Sequence, residues 1–198
     1  MIVKVGGSVA EDLGVVVDSL KIKGDALIVP GGWKFADIVR ELDEKYRINR
    51  SLSHWMAISA MNIYGYFISN YGVDHFEPES FEEIELKGVR VLLPYRILRK
   101  YDELPHSWDV TSDSISVWVA AKLGVEEVVK VTKVGGIIVD REIVDEVLAS
   151  DLRGETCVDR YTPHLLKKYK LNMFVCSPKE LKNYILRGRA RGTLIKGR

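Results

Sequence analysis

Short β-branched runs alternate along the chain with longer stretches whose apolar positions recur every three to four residues. Alternation of those two periods predicts an α/β protein with a mainly parallel sheet. "MIVKV" reads as a first strand ending at Gly6-Gly7-Ser8, and Val9 to Lys21 as a helix with Leu13, Val16, Val17 and Leu20 on one face. "DALIVP" reads as the second strand, ending at Pro30-Gly31-Gly32, and Phe35, Ile38, Val39 and Leu42 follow at helical spacing. A long helix is predicted from about Ser51 to Asn70, its "HWMAISAMNIYGYFI" stripe suited to a core or a subunit interface. Val73 to Leu86 holds many acids and only weak strand patterns, after which "VRVLLP", "EEVVKVT", "NMFVC" and "GTLIK" supply further strands. "PKELKNYILRG" predicts a helix between the last two, an acidic helix is expected near Arg141 to Ala149, and Asp151 to Thr162 reads as loop. With no repeat, linker or low-complexity segment, one domain spanning residues 1–198 is expected.

Composition narrows the function classes. A length of 198 residues with 46% hydrophobic residues suits one core, and a net charge of +1 argues against nucleic-acid binding by bulk electrostatics. The basic tail "LRGRARGTLIKGR" has no interleaved aromatics and reads as a solvated face, so no nucleic-acid partner is expected. Two cysteines, Cys157 and Cys176, are too few for a disulfide framework or a metal cluster, and no metal-ligand set stands out. "MIVKVGGSVAEDLG" lacks a basic leader followed by an apolar stretch, and nothing approaches the ~20 apolar residues that span a bilayer. A soluble, cytoplasmic protein with no membrane partner is the expectation.

The candidate chemistry lies at the ends of strands. Three strand-like runs lead into paired glycines: Gly6-Gly7, Gly31-Gly32 and Gly135-Gly136. In an open α/β sheet, ligands bind outside the carboxyl ends of the strands, where glycines let backbone N–H groups approach phosphate oxygens. The Walker loop and the G-x-G-x-x-G fingerprint are both absent. Lys4 stands inside an apolar strand two residues before Gly6, where a charge is costly without a partner. It is either an edge lysine reaching for water or an ammonium that meets a transferring phosphoryl group. In "LPHSWDVTSDSISVWVAAKLG", an acidic and hydroxyl-rich half precedes an apolar helix that must be buried. Either Thr111 or Ser112 caps that helix and Asp113 answers its dipole, or this polar half lines an active site, or both.

"VKVGGS", "VPGGWKFAD", "TSDSISVWVAAKLG" and "VVKVTKVGGI", in that order, resemble the amino acid kinase superfamily. "HWMAISAMNIYGYFI" and "LPHSWDVTSDS" resemble, more narrowly, a short archaeal branch that includes the phosphate kinase of methanofuran biosynthesis. The resemblance implies a three-layer α/β/α sandwich of the carbamate kinase type and an ATP- and Mg²⁺-dependent small-molecule kinase, with a homo-oligomer expected. The implied acceptor is a phosphate monoester, with a carboxylate acceptor or a non-catalytic nucleotide-binding protein as alternatives. Lys4 and Asp113 are then the catalytic candidates, Asp113 being the aspartate that holds lysines and glycine-loop amides in register. Gly6, Gly7, Ser8, Gly31, Gly32, Thr132, Lys133 and Gly136 are the nucleotide-binding candidates. Lys34, His54 and Asp109 are the acceptor candidates. The family's second transition-state lysine, in a "G-M-x-x-K" segment, is missing, and the corresponding region reads "GETCVDRYTPHLLKKYK". Lys34, Lys133, Arg160 and Lys167 are the replacements open to it, unless the chemistry proceeds without one.

Overall fold

In the computed structural model, which describes residues 1–198, β1 (Ile2–Val5) runs into a 3₁₀ segment (Gly7–Asp12) and then α1 (Leu13–Lys23). The chain continues through β2 (Ala26–Pro30), α2 (Trp33–Tyr46), α3 (Arg50–Ser69), β3 (Asp74–Phe76), β4 (Val89–Leu92), α4 (Tyr95–Tyr101) and α5 (Ser112–Lys122). β5 (Glu127–Val131), β6 (Ile138–Val139), β7 (Glu142–Ile143), β8 (Glu146–Leu148), α6 (Thr162–Tyr169), β9 (Asn172–Cys176), α7 (Pro178–Arg187) and β10 (Gly192–Lys196) complete it. Eight strands form one sheet in the order β3-β4-β2-β1-β5-β9-β10-β8, parallel throughout except between β9 and β10. β6 and β7 form a separate hairpin. No helix is long and apolar enough to cross a membrane.

Successive residues of a strand face opposite sides of the sheet, and the two sides have separate cores. Val3, Val5, Ile28, Val129 and Val131 pack with Val16 and Leu20 of α1, Leu181 of α7 and Tyr64 and Ile68 of α3. Ile2, Leu27, Val29, Val128 and Met173 face the other way, into a core with Val117 and Trp118 of α5 and Leu165 and Leu166 of α6. The result is the expected three-layer sandwich. α5 fits its buried place because every residue from Ser112 to Ala120 is buried, so no solvated face is needed.

Two elements depart from the sequence reading. The predicted first helix is broken: Val9 has non-helical angles (φ −104°, ψ 17°), and the α-helix begins only at Leu13. Arg141 to Ala149 is not an acidic helix but strand. Asp140 and Arg141 turn the chain with positive φ (49° and 70°), and the β-branched Ile143, Val144 and Val147 favour extended backbone, with β8 pairing along β10.

Candidate active site

Lys4 lies on the Ile2 side of β1, and Lys130 lies on the Val128 side of β5, two residues on in each case. The two strands are neighbours in parallel register, with Lys4 opposite Lys130, so both ammoniums project toward α5. Asp113, second residue of α5, stands between them: its Oδ1 is 2.9 Å from Lys4 Nζ and its Oδ2 is 2.5 Å from Lys130 Nζ. The Lys4 contact is off the line of a good hydrogen bond, whereas Lys130 hydrogen-bonds Asp113 and also the Cys157 carbonyl. Lys4, Lys130 and Asp113 are only 6%, 4% and 3% exposed, so this charge cluster lies in the interior.

Burial alone would push the Asp113 carboxyl up, but the Lys130 and Lys4 ammoniums outweigh it and hold it at about 2. Lys4 moves down from the ordinary lysine value through burial, reinforced by the neighbouring Lys130 charge and opposed by Asp113. Two cations share one anion here. Such a cluster is suited to receive a further negative group.

The glycine turns sit beside it. The first glycine of each of two pairs ties its turn to a neighbouring strand end: Gly6 N–H donates to the Val131 carbonyl and Gly31 N–H to that of Val5. The other two glycines meet a tighter requirement. A Cβ on Gly7 would fall 2.6 Å from Trp33 Cα, and one on Gly32 would fall 2.3 Å from Ala36 Cβ. Trp33 itself has a positive φ of 47°, a strained conformation for a bulky residue. Its ring lies against those of Tyr64 and Phe67, and the buried Tyr64 hydroxyl donates to the Gly6 carbonyl at 3.3 Å. On the β5 side, Ser8 Oγ and Thr132 Oγ1 are 3.3 Å apart, and Lys133 N–H faces Ser8 Oγ. The Lys133 ammonium points outward to Glu11 at 2.9 Å, and Gly136 packs against Ile143 and Thr193.

A cavity of about 940 Å³ opens on one side of this arrangement, bounded by Lys4, Gly7, Ser8, Gly31 and Gly32 at its inner end. Lys34, Arg40 and Arg50 bring positive charge to it, Asp37, Asp43 and Asp109 negative charge, and Trp33, His54 and Trp108 flat apolar surface. Lys34 and Asp37 form no ion pair; Lys34 lies over the Trp33 ring at 5.6 Å. Asp109 is exposed at the rim and accepts from Ser107 Oγ. Trp108 Nε1–H donates to Asp43 at 2.6 Å and its ring carries the Arg40 guanidinium at 4.7 Å, hooking the loop before α5 onto α2. His54 is 8% exposed and stacks on His106 at 4.2 Å, while Ser51 and Asp102 hold the His106 ring. Burial, helped by His106 and opposed by Asp102, pushes His54 down to about 4, so it stands neutral in the cavity wall.

The acceptor candidates Lys34, His54 and Asp109 therefore share one cavity with Lys4 and the glycines of β1 and β2. Thr132, Lys133 and Gly136 lie outside it, on the β5 side. None of the replacements considered for the second lysine reaches Asp113. Lys34 is exposed on the first turn of α2, Lys133 is paired with Glu11, and Arg160 and Lys167 are exposed. The residue that does is Lys130, which the sequence reading passed over. Its signal was present: "VKV" occurs in both "IVKV" and "VVKV", a lysine at the same place in two apolar strands. Asp113 takes no glycine amide; the backbone N–H it accepts belongs to Asp159, at 3.1 Å.

No family model matches the chain. The [5-(aminomethyl)furan-3-yl]methyl phosphate kinase of Methanocaldococcus jannaschii is 37% identical over 186 residues, covering 88% of this chain and 86% of that protein. The chain belongs to the amino acid kinase superfamily, in the branch of that phosphate kinase. Solved structures with the same fold include uridylate kinase of Archaeoglobus fulgidus, with a TM-score of 0.75 and 18% identity over 98% of this chain and 99% of that one. UMP kinase of Bacillus anthracis superposes with a TM-score of 0.72 and 14% identity over 99% and 95% of the two chains. This amino acid kinase is a phosphotransferase acting on a small molecule. In it, a second lysine beside Asp113 comes from β5.

Proposed function

We propose that the protein transfers the γ-phosphoryl group of ATP to a phosphate monoester, [5-(aminomethyl)furan-3-yl]methyl phosphate, giving the diphosphate. The observation that carries this reading is the buried Lys4–Asp113–Lys130 cluster at the inner end of a cavity lined by Lys34, Arg40 and Arg50. A phosphate monoester is largely dianionic at neutral pH, its second ionisation lying near ~6. Its oxygen is already a nucleophile and needs no general base. The only buried titratable side chain in the cavity besides Lys4 is His54, too weak a base at about 4 to take that part.

On this reading Lys34, Arg40 and Arg50 draw in the acceptor phosphate, while His54 and Trp108 give its ring a flat wall. Lys4, the member of the cluster that reaches the cavity, neutralises charge on the transferring phosphoryl group. Gly7 and Gly32 let the backbone come close to it, Asp113 fixes Lys4, and Ser8, Thr132, Lys133 and Gly136 border the nucleotide. No group of three or more carboxylate, imidazole or thiol side chains converges, and Asp113 is committed to lysines. The residues present therefore fit a Mg²⁺ carried in by the phosphates and water rather than held by the protein. When bound, that ion screens charge on the phosphate oxygens. Lys130, a second buried lysine on Asp113, supports this reading over a non-catalytic nucleotide binder. A homo-oligomer belongs to the same reading, with Ile63, Tyr66 and Phe67 exposed along α3, and light scattering tests it.

The test is the purified protein with ATP, Mg²⁺ and the furan phosphate, following ADP release and the phosphorus NMR spectrum. Appearance of two coupled diphosphate resonances with matching ADP is the expected result. ADP release with a carboxylate acceptor and none with the phosphate would overturn it.

A further inference from the structure

The stretch Cys157 to Thr162, which reads as featureless loop in the sequence, closes on the charged cluster from behind. Its backbone touches two of the three charges: the Cys157 carbonyl accepts from Lys130 Nζ, and Asp159 N–H donates to Asp113 Oδ2. The Asp159 carboxylate turns the other way and gathers donors from two helix starts. From the α5 side it accepts Thr111 N–H at 2.9 Å, Thr111 Oγ1–H at 2.8 Å, Ser114 N–H at 3.0 Å and Ser114 Oγ–H at 2.6 Å. From the α6 side it accepts Tyr161 N–H at 3.2 Å and both N–H and Oγ1–H of Thr162 at 2.8 Å.

First-turn N–H groups of a helix have no partner inside the helix and need an outside acceptor. Thr111 stands at the N-cap of α5 yet makes no capping bond of its own, because its hydroxyl is turned to Asp159. The start of α5 is thus capped from 45 residues away along the chain. Asp113 lies between Thr111 and Ser114, so the bonds that fix those two residues fix its carboxylate between Lys4 and Lys130. A carboxylate accepts only, and every neighbour here donates. An amide at the same place would present N–H to N–H and O–H groups over half its surface.

We infer that Asp159 is a positioning residue for phosphoryl transfer, a remote cap that holds Asp113, and through it both lysines, in the reactive arrangement. It does not line the cavity, so it sets the rate without contributing to acceptor binding. The inference rests on the phosphoryl-transfer reading but not on the acceptor's identity.

The experiment compares Asp159→Asn with wild type, using whichever acceptor the wild type turns over, at a temperature where circular dichroism shows both folded. A small displacement of Lys4 should lower kcat by about 10- to 100-fold, with KM for ATP and acceptor each within about twofold of wild type. Unchanged kcat with a lowered Tm makes Asp159 a stabilising cap only and overturns the inference. A loss carried by KM overturns it as well. Thr111→Val and Ser114→Ala remove the same bonds one hydroxyl at a time and cover the case in which Asp159→Asn does not fold. Several-fold losses of kcat are expected from each, and wild-type kcat in both defeats the proposal. A wrong acceptor shows itself separately, as a wild type that leaves the furan phosphate untouched.

Discussion

Replacing Lys130 by methionine separates activity from stability in a way that only a shared-carboxylate cluster predicts. The side chain keeps its length and loses its charge. Lys4 and Asp113 remain paired at 2.9 Å, and the repulsion that lowers Lys4 disappears. What is lost to stability is the bonding of Lys130 to Asp113 and to the Cys157 carbonyl, a net cost of about 1–2 kcal/mol. Asp113→Asn is a different injury. It leaves two buried ammoniums facing each other with no anion between them, and breaking a buried pair from one side costs about 3–5 kcal/mol. At about 2–4 °C per kcal/mol for a chain of this size, Tm should fall by about 2–8 °C for Lys130→Met and about 6–20 °C for Asp113→Asn. Activity should not follow that order. Both variants disturb preorganised charge at the phosphoryl group, and each should lose about 10²- to 10³-fold in kcat. Thermal melts and steady-state kinetics on the two variants supply both numbers. Near wild-type kcat in Lys130→Met, or a fall in Tm as large as that of Asp113→Asn, refutes the arrangement.

Three further outcomes follow from single contacts. His54 is held near 4 in the folded chain against about 6.5 unfolded, so the unfolded chain binds the proton first. Its contribution is full above pH 6.5 and lost as pH falls toward 4, by roughly 2–3 kcal/mol, and His54→Phe should flatten that part of the Tm–pH curve. Gly7→Ala forces a methyl to within 2.6 Å of Trp33 Cα and should part the β1 and β2 turns, costing about 1–3 kcal/mol and most of the activity. Gly14→Ala is the control: its nearest neighbour is 3.9 Å away and it lies in α1, so Tm should hold or rise while kcat is unchanged. Trp108→Phe removes the bond to Asp43 and unhooks the loop from α2, so acceptor KM should rise several-fold with ATP KM constant.

The parts of this fold that the sequence announces are those where one period dominates. "IVKV", "ALIVP" and "NMFVC" alternate faces of a sheet, and the glycine pairs end two of those strands where the backbone approaches other loops. The departures arise where the period is short or mixed. Ile143, Val144 and Val147 are spaced closely enough to suit either a helix or a pair of strands, and the turn at Asp140 and Arg141 decided for strands. The site shows the same division. Asp113 stands out as an acid at the start of an apolar helix, and Lys4 as a charge in an apolar run. Lys130 carries the same mark in "VVKV", although the resembled motif points to the segment "GETCVDRYTPHLLKKYK" and not to this strand. The link from Asp159 to α5 carries no local mark, since its partners at Thr111 and Ser114 lie 48 and 45 residues away and only the folded chain brings them together.

The cavity boundary assigns different work to the two lysines that flank Asp113. Lys4 opens on the acceptor side, whereas Lys130 and Asp113 do not. Lys130 also spends a bond on the Cys157 carbonyl, which Lys4 has no counterpart to, so Lys130 is anchored at two points and Lys4 at one. An ammonium held by a single off-line contact is the freer to swing toward an arriving phosphoryl group, and its lowered affinity for a proton marks a charge kept under tension by burial. Burial and the second lysine thus raise the cost of the free state, and a phosphate oxygen relieves it. That ordering makes Lys4→Met the more damaging of the two lysine substitutions for kcat, and equal losses from both would place Lys130 at the phosphoryl group as well.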